Sequence, residues 1–311
     1  MSQTLSTATA SAVTAVAPTD VSFASLWAGR RLSGYEASCM ASFVHHGYRL
    51  IVYSYDTIEN LPDGVQPGDA AAIVAPDNLQ RFLIRGRPNL NHFSDLFRYR
   101  LFSLTPHIWV DPDMMMVRPL PVGAWDKLLA REDKRTLCGA IMRLDSKNPQ
   151  LDELIRRTKA LRDRNLYWGA TGPQLLTATF SHDDLLGAAH PPELFFPIHY
   201  NDFWMAFLPE YREACERMCA EASTVNLWND RLVGLGLWKR LAPPEGSFLH
   251  ACFAGSGSWQ FDDVYPPEVM RAMVYNWRVG CEGGAIGLGQ WSRKMWPGVK
   301  LTVRRRLKLP D

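Results

Sequence analysis

The sequence predicts an α/β domain in which helices flank a mostly parallel sheet. Near its start, an apolar strand at residues 21–29 is followed by a helical segment and then by a second strand, "YRLIVYSYD", at residues 48–56. Units of strand, helix and strand with this spacing form parallel sheets through a right-handed crossover. The chain has 311 residues, 47% of them hydrophobic, which is enough to bury a large core.

The helix between these strands has recognisable ends and one apolar face. Ser33 and Glu36 form an S-x-x-E capping box, which predicts the helix start. Apolar residues recur at four-residue spacing from Tyr35 to Phe43, so one side of the helix should face the core. Gly47 is a suitable stop, because glycine readily adopts the left-handed conformation found after many helices.

Alternating strands and helices continue along the chain, separated by turns rich in glycine, proline and aspartate. The predicted elements are a short strand at 71–75, a helix at 94–104, a strand at 107–111, helices at 151–164 and 209–222, and a strand, turn and helix at 223–236. We expect three regions, which are a disordered tail at 1–20, a catalytic domain at 21–250, and an extension at 251–311 that packs on the same domain.

Composition argues against several classes of protein. Lys and Arg number 34 and Asp and Glu 32, a formal net charge of only +2, so a nucleic-acid partner is not expected. No segment approaches the roughly 20 apolar residues of a membrane span, and the first residues do not resemble a secretory signal. Six cysteines without a CxxC pair indicate reduced thiols. We expect a cytoplasmic protein with at most peripheral membrane contact, in which the basic run at 303–308 is a solvated tail.

A pair of carboxylates follows the predicted strand at 107–111, within "HIWVDPDMMM". Ligands of open α/β sheets bind beyond the carboxyl ends of the strands, where Asp111 and Asp113 are expected to lie. Pro112 fixes the backbone between them. Two carboxylates this close repel each other, and a divalent cation that prefers oxygen ligands, Mg²⁺ or Mn²⁺, would relieve the repulsion. A solvent-exposed Asp-Pro turn is the alternative interpretation.

A second polar pair lies just upstream, in "FSDLFRYRLF". Asp95 and Arg98 are three residues apart on a predicted helix, with Ser94 as its N-cap, so their side chains share a face. A carboxylate and a guanidinium placed together can both bind the hydroxyl groups of a sugar ring. The alternative is a surface ion pair, which would contribute little to stability.

Five motifs, in this order and with these gaps, carry a family resemblance. They are "FASLWAG", "SFVHHGYRLIVYSYD", "FSDLFRYRLF…IWVDPDMMMVRPL", "TGPQLLT" and "VNLWN". Together they resemble the sugar transferases with a DXD-containing sugar-binding region, which include α-1,4-galactosyl- and mannosyltransferases and many bacterial polysaccharide enzymes. The catalytic domains of the clostridial glucosylating toxins are more distantly similar. The resemblance spans about residues 21–250.

The resemblance implies a GT-A-type, Rossmann-like sheet flanked by helices, with a less regular C-terminal extension. The implied activity is a metal-dependent, retaining transfer of a sugar from a nucleotide sugar, a UDP-sugar in particular. Trp27 would stack on the uracil-type base, and Trp109 would line the donor pocket. Asp95 and Arg98 would hold hydroxyl groups of the donor sugar, and Asp111 would contact the ribose and the sugar.

The same resemblance implies a metal site beside the donor diphosphate. Asp113 would be the fourth catalytic residue and a ligand of Mn²⁺ or Mg²⁺. The segment 226–229 would close over the diphosphate, with Asn226 and Asn229 completing the metal shell. Asn226 and Trp228 would also contact the bound nucleotide sugar.

Three departures from the family pattern bear on these roles. The family has a glycine pair before the "IWVD"-type strand, and this sequence has "LTPH" at 104–107. The middle residue of the Asp-X-Asp motif is Pro112, which has no N–H to donate to a phosphate or ribose. Asn226 stands where the family has histidine, and its amide cannot take up a proton.

The sequence therefore supports two functions of different class. The first is a glycosyltransferase that acts on a glycan or glycolipid acceptor, as in polysaccharide biosynthesis. The second is a catalytically weak or inactive module that binds a glycan or a nucleotide sugar, which the residues Pro112 and Asn226 motivate. A Mg²⁺-dependent nucleotidyltransferase or phosphatase is a weaker third reading, because the chain lacks a phosphate-cradling glycine loop.

Overall fold

A computed structural model provides the structure of the protein. It describes residues 21–121, 123, 125–180 and 187–281. The predicted tail at 1–20 lies outside the described residues, as do positions 282–311 of the predicted extension, which include the basic run at 303–308.

Thirteen strands and nine helices lie within the described residues. The strands are β1 (Ser22–Leu26), β2 (Arg49–Ser54), β3 (Gln66–Asp69), β4 (Phe82–Ile84), β5 (Arg87–Pro88), β6 (Ile108–Val110), β7 (Met114–Met116), β8 (Leu128–Arg131), β9 (Leu137–Arg143), β10 (Arg164–Asn165), β11 (Thr224–Asn226), β12 (Leu241–Ala242) and β13 (Asp263–Val264). The helices are α1 (Gly34–His45), α2 (Leu90–Leu104), α3 (Pro149–Ala160), α4 (Pro173–Phe180), α5 (Pro192–Phe195), α6 (Arg212–Met218), α7 (Asn229–Leu235), α8 (Phe248–Ala254) and α9 (Pro267–Cys281).

A six-stranded sheet in the order β3-β2-β1-β6-β9-β8 forms the centre of the fold. Strands β3, β2, β1 and β6 pair in parallel, whereas β9 is antiparallel to β6 and β8 is antiparallel to β9. Helix α1 connects the parallel neighbours β1 and β2, as the start of the sequence predicts. The predicted α/β class with a mostly parallel, helix-flanked sheet is confirmed, and the GT-A-type assignment stays a prediction.

Helix α1 begins and ends where its sequence signals predict. The Ser33 side chain is the N-cap and accepts a hydrogen bond from the Tyr35 N–H at 3.2 Å. At the other end, Gly47 has a φ of 82°, a left-handed conformation that glycine adopts without steric cost. These two local devices fix the length of the crossover between the first two strands.

Both faces of the central sheet are covered by apolar side chains. Consecutive residues of a strand point to opposite faces, and Ile108 and Trp109 of β6 accordingly enter different clusters. Trp109 packs with Phe97 and with residues of α3 and α4. Ile108 packs with Phe23 and Phe43, next to α1. The residues that follow the strands are therefore held on a closely packed scaffold.

A third apolar cluster joins the later part of the chain to α1. Residues from α6, α8, α9 and the segment 203–208 pack around Tyr35 of α1. The Tyr35 ring contacts the Phe253 ring edge-on, with centroids 5.1 Å apart. Residues up to α9 therefore pack on the same helix that connects the first two strands.

The predicted strand at 71–75 is wrong. Ala70–Ala72 form a 3-10 turn, because the Asp69 side chain accepts a hydrogen bond from the Ala71 N–H at 2.8 Å and caps a helical turn instead. The edge strand is β3, which lies inside the predicted turn region that precedes this segment. A strand with proline and glycine in it is typical of a sheet edge, where not every N–H needs a partner.

The predicted start of the helix at 94–104 is also wrong. Helix α2 begins at Leu90, and Asn89 is its N-cap, accepting a hydrogen bond from the His92 N–H at 3.1 Å. Ser94, the predicted N-cap, lies inside the helix, and its hydroxyl accepts a hydrogen bond from Arg98 at 3.3 Å. Both Asn89 and Ser94 suit an N-cap by residue type, so the sequence alone favours neither.

Two composition-based expectations can be compared with the structure. Within the part of the chain that the structure describes, five cysteines are free thiols, and all but Cys252 are buried. No helix among the described residues combines the length and the apolar composition needed to cross a bilayer.

Glu132 leads to a prediction about stability and pH. It lies between β8 and β9 and is partly buried. Burial, and then the charge of Asp133, raises the pKa of Glu132 to about 7 from an ordinary value of 4.5. Folding thus favours the protonated form of Glu132. The stability of the folded protein is therefore highest below pH 4.5, as far as Glu132 contributes to it, and this contribution is lost as the pH rises through 7. We expect Glu132→Gln to exceed wild type in free energy of unfolding by up to about 3 kcal/mol in mildly alkaline buffer, with no difference in acid.

Urea unfolding of both proteins across this pH range measures the difference. Glu245→Gln, at an exposed position, is the matched control and should show no such pH-dependent gain. A constant difference between Glu132→Gln and wild type at every pH would contradict the prediction.

Candidate functional site

Two residues that are predicted to contact the nucleotide sugar, Trp27 and Asp111, lie at the same edge of the sheet. Strands β1 and β6 are parallel neighbours, with Ala24 opposite Trp109. Trp27 follows β1 and Asp111 follows β6, so both lie at the carboxyl ends of adjacent strands. This edge binds ligands in open α/β sheets. The fold therefore places Trp27 and Asp111 where a ligand is expected.

Arg98 is the centre of a polar cluster at this edge. Its Nη2 atom lies 3.0 Å from Asp111 Oδ1 and 3.5 Å from Asp95 Oδ1. Its Nη1 atom donates to the main-chain oxygen of Gly139 on β9. The guanidinium carbon lies 4.9 Å from the centroid of the Trp109 ring, and Trp109 Nε1 donates to Asp111 Oδ1 at 2.7 Å. The structure thus brings the predicted pair of Asp95 and Arg98 together with the predicted donor-site residues Trp109 and Asp111.

Burial distinguishes the members of this cluster. Asp95 and Arg98 are both buried, so their ion pair is not the exposed surface pair of the alternative interpretation. The Asp111 side chain keeps 27% of its exposure. Burial raises the pKa of Asp95 to about 6, although the Arg98 charge and a hydrogen bond from Thr171 oppose this shift. Asp111 is the carboxylate of the cluster that a ligand can reach.

Thr171, the first residue of "TGPQLLT", supports Asp95 from the other side. Its hydroxyl donates to Asp95 Oδ2 at 2.7 Å and lies 2.6 Å from His92 Nδ1. Its main-chain oxygen accepts a hydrogen bond from the Tyr99 hydroxyl at 2.9 Å. Three residues of α2 therefore meet one threonine in the turn before α4. The missed signal was the recurrence of polar residues at 92, 95 and 99, one turn apart on a helix.

Gly139 leads to a prediction about the packing of Arg98. A Cβ atom at this position would overlap Arg98 Nη1, the atom that donates to the Gly139 oxygen. We expect Gly139→Ala to lower the free energy of unfolding by about 1–3 kcal/mol, because the buried guanidinium has to move from its partners. Urea denaturation measures the loss.

Gly255→Ala is the matched control for this substitution. Its Cβ would meet its nearest atom at 3.5 Å, an ordinary van der Waals distance. If Gly139→Ala cost no more stability than Gly255→Ala, the close approach of Arg98 to this glycine would not constrain the fold.

Asp113 accepts two hydrogen bonds from main-chain N–H groups of the segment 226–229. Strand β11 is antiparallel to β7, with Asn226 opposite Met114. The main-chain oxygen of Asp113 accepts from the Leu227 N–H at 3.0 Å, and its Oδ2 atom accepts from the Asn229 N–H at 2.9 Å. Burial, and then the charge of Asp111, raises the pKa of Asp113 to about 7. The structure brings the segment 226–229 to Asp113, and the predicted roles of these residues in ligand binding stay predictions.

Trp228 has an unusual backbone within this segment. Its φ of 55° and ψ of 61° are left-handed, a conformation that is costly for a residue with a side chain. The Asn226 side-chain oxygen accepts a hydrogen bond from the Trp228 N–H at 2.8 Å and holds this geometry. The Trp228 indole donates to the Ile198 main-chain oxygen at 2.9 Å and packs beside Phe196. Strain of this kind often marks functional segments.

Three oxygens of the predicted metal ligands already accept hydrogen bonds from protein groups. Mg²⁺ and Mn²⁺ need several oxygen ligands. Asp113 Oδ2 and Asn226 Oδ1 accept main-chain N–H groups, and Asn229 Oδ1 accepts from the Lys239 ammonium at 2.8 Å. A metal on that Asn229 oxygen would lie directly beside a positive charge. Among the described residues, no group of three or more His, Cys, Asp or Glu side chains could hold a metal ion.

Glu36 and Lys239 belong to this part of the site, although the sequence did not indicate it. The Lys239 ammonium forms a close ion pair with Glu36 Oε1. Glu36, which the sequence identified as part of a capping box, accepts from the Ser33 hydroxyl through its other oxygen. Asn229 Nδ2 also donates to Glu36 Oε1, at 3.3 Å. Nothing in the spacing of these residues could have revealed contacts over such sequence separations.

Comparisons with known proteins give limited information about this chain. No protein-family model matches the sequence, and no curated protein matches it. Among solved structures, the chain is similar to a PaToxG glycosyltransferase, with 12% identity and a TM-score of 0.37. The match covers 64% of this chain and 78% of that chain. At this level of similarity, function has to be inferred from the side chains themselves.

Proposed function

We propose that this protein is a glycosyltransferase that moves a sugar from a nucleotide-sugar donor to a hydroxyl group of a glycan or glycolipid. The observation that carries the proposal is the buried cluster of Asp95, Arg98, Trp109 and Asp111 at the carboxyl edge of the sheet. Burying the charged side chains of Asp95 and Arg98 is costly, and such groups concentrate at functional sites.

The contacts suggest how the cluster would act on a sugar. Both terminal nitrogens of Arg98 donate to protein oxygens, and its Nε is buried without a partner among the described residues, so we assign Arg98 to positioning rather than to direct contact. Arg98 and Trp109 both hold Asp111 Oδ1, which fixes the orientation of the partly exposed carboxylate. A carboxylate held in this way can accept hydrogen bonds from sugar and ribose hydroxyl groups. It can also stabilise the positive charge that develops at the anomeric carbon during transfer.

The donor base and the stereochemistry follow from the sequence resemblance and are proposals of the same kind. Trp27, half-buried at the end of β1, would stack on a uracil-type base. We propose a retaining reaction, in which the acceptor attacks from the face that the diphosphate leaves and the departing phosphate takes the acceptor's proton. An NMR measurement of the anomeric configuration of the first product would test retention, and an inverted product would contradict it.

Negative charge accumulates on the leaving diphosphate, and positive groups that face it lower the barrier. The resemblance implies that Mn²⁺ or Mg²⁺ bound at Asp113 balances this charge. Three of the predicted ligand oxygens already accept hydrogen bonds from protein groups. The competing hypothesis is therefore that a positively charged side chain of the protein, and not a metal ion, balances the charge. Titration of UDP with and without Mn²⁺ distinguishes them.

A donor screen tests the proposed function directly. Purified protein would be incubated with UDP-Gal, UDP-Glc, UDP-GlcNAc and GDP-Man in separate reactions, and release of the nucleoside diphosphate would be followed. We expect one donor to be hydrolysed or transferred well above the others. Absence of both nucleotide binding and diphosphate release for every donor would refute the proposal.

A binding module without turnover is the second candidate. It is favoured by Pro112, which has no N–H to offer a phosphate, and by Asn226, whose oxygen is used within its own segment. Binding of a nucleotide sugar with no release of the diphosphate, in the presence of varied glycan acceptors, would support this candidate over the enzyme.

A further inference from the structure

Lys239 lies in the region that is predicted to bind the diphosphate. It contacts two polar residues directly and a third through one of them. Its ammonium pairs with Glu36 and donates to Asn229 Oδ1 at 2.8 Å. The Asn229 N–H in turn donates to Asp113 Oδ2 at 2.9 Å. A chain of contacts therefore runs from Glu36 through Lys239 and Asn229 to Asp113, two residues beyond Asp111.

This network contains one positively charged side chain, Lys239, and two buried carboxylates, Glu36 and Asp113. Glu36 keeps only 2% of its side-chain exposure, and Asp113 is buried as well. The Lys239 ammonium pairs directly with Glu36, and Asn229 connects it to Asp113 through two hydrogen bonds. A divalent metal usually provides the positive charge where two carboxylates converge near a phosphate. Here an amino group already occupies that electrostatic position.

The Lys239 ammonium can also reach a ligand. An ammonium has three N–H donors, and the contacts with Glu36 and Asn229 use two of them. The Lys239 side chain keeps 25% of its exposure, whereas Glu36 beneath it is closed to solvent. The carboxylate that holds the ammonium is thus buried, whereas the lysine side chain is partly open to solvent. Lysine commonly binds phosphates as such a point charge.

We propose that Lys239 supplies the positive charge that faces the donor's diphosphate, so that donor binding does not depend on a divalent cation. This inference rests on the proposed function, since it assumes a nucleotide-sugar donor. It assigns Asn229 and Glu36 to positioning the ammonium. It assigns Asp113 to holding the segment that carries Asn229, in place of the metal-ligand role that the resemblance implies.

Calorimetric titration of the full chain with UDP, and separately with uridine, tests the proposal, each in EDTA and in Mn²⁺. For wild type we expect the UDP dissociation constant to differ by less than about threefold between the two buffers. Lys239→Met should weaken UDP binding by about tenfold or more and leave uridine binding unchanged. Lys239→Arg should retain most of the UDP affinity, because the charge is kept.

The selective loss of diphosphate binding separates this role from a purely structural ion pair. A structural defect would weaken UDP and uridine binding together, and that outcome would overturn the proposal. If Lys239→Met does not fold because Glu36 is left unpaired, the charge-balanced double variant Glu36→Gln/Lys239→Met gives the same comparison. Unchanged UDP affinity in either variant would also overturn it.

The same titrations distinguish failure of this inference from failure of the proposed function. If Mn²⁺ strengthens UDP binding to wild type by about tenfold or more, the metal balances the charge and the inference fails, while the glycosyltransferase proposal stands. If wild type binds UDP in neither buffer, the proposed UDP-sugar donor itself is refuted.

Discussion

Replacing Arg98 with methionine is expected to lower the free energy of unfolding by about 3–5 kcal/mol. The guanidinium is buried and lies 3.0 Å from Asp111 and 3.5 Å from Asp95. Methionine fills the space of the arginine stem as far as about Nε but has no guanidinium, so the buried Asp95 would lose its counter-ion and the Gly139 oxygen its donor. Guanidinium or urea denaturation followed by tryptophan fluorescence measures the loss.

One control variant and one change of pH make the interpretation of this result specific. Arg100→Met changes the same residue type on the same helix at a less buried position, and should cost much less stability. The loss in Arg98→Met should shrink in acid, where the carboxylates that Arg98 balances become protonated. If Arg98→Met and Arg100→Met were equally stable, the buried cluster would not be the electrostatic centre that its contacts indicate.

Asp111→Asn is expected to lower the rate of sugar transfer about 100-fold or more with the fold intact. Asparagine keeps the shape of the side chain and an oxygen for the hydrogen bonds from Trp109 and Arg98. It removes the negative charge from the member of the cluster that a ligand can reach. On the proposed mechanism, that charge opposes the positive charge at the anomeric carbon, so kcat should fall more than the affinity for the donor.

Diphosphate release with the preferred donor measures this loss, and the unfolding midpoint reports on the fold. Asp126→Asn, at an exposed carboxylate that pairs with Arg143, is the control and should leave the rate unchanged. A rate for Asp111→Asn within about threefold of wild type would remove Asp111 from the reaction and favour the binding-module candidate.

Much of the fold could be predicted because its signals are local. Ser33 and Gly47 mark the ends of α1 through hydrogen bonds and backbone geometry within a few residues. The parallel pairing of the first two strands follows from the helix that connects them. The Asp95–Arg98 pair and the strand before Asp111 were also local patterns, and the sheet brings them together. What the sequence did not provide was the burial that distinguishes Arg98 from a surface ion pair.

The parts that could not be predicted depend on distant contacts or on competing local options. At 71–75, a strand-like composition was overridden by the Asp69 cap of a 3-10 turn. Glu36 was identified correctly as a helix-start residue, yet its main partner is Lys239, 203 positions later. No pattern of residue types relates two such positions in a single sequence. For the same reason the sequence did not indicate that the Lys239 ammonium donates to Asn229, one of the predicted metal ligands, because Lys239 lies outside every motif.

Three contacts between the first helix region and the later part of the chain have a consequence for how the protein folds. Glu36 meets Lys239, Ser38 meets Ser258, and Asn60 meets Gln260, over separations of 203, 220 and 200 residues. Loops this long close slowly, and contacts of high sequence separation form late in folding. A growing chain on the ribosome would therefore leave Glu36 without its Lys239 partner until residue 239 has emerged. The nucleotide binding proposed for this site should therefore be acquired late in folding, which would make it a sensitive reporter of completed folding.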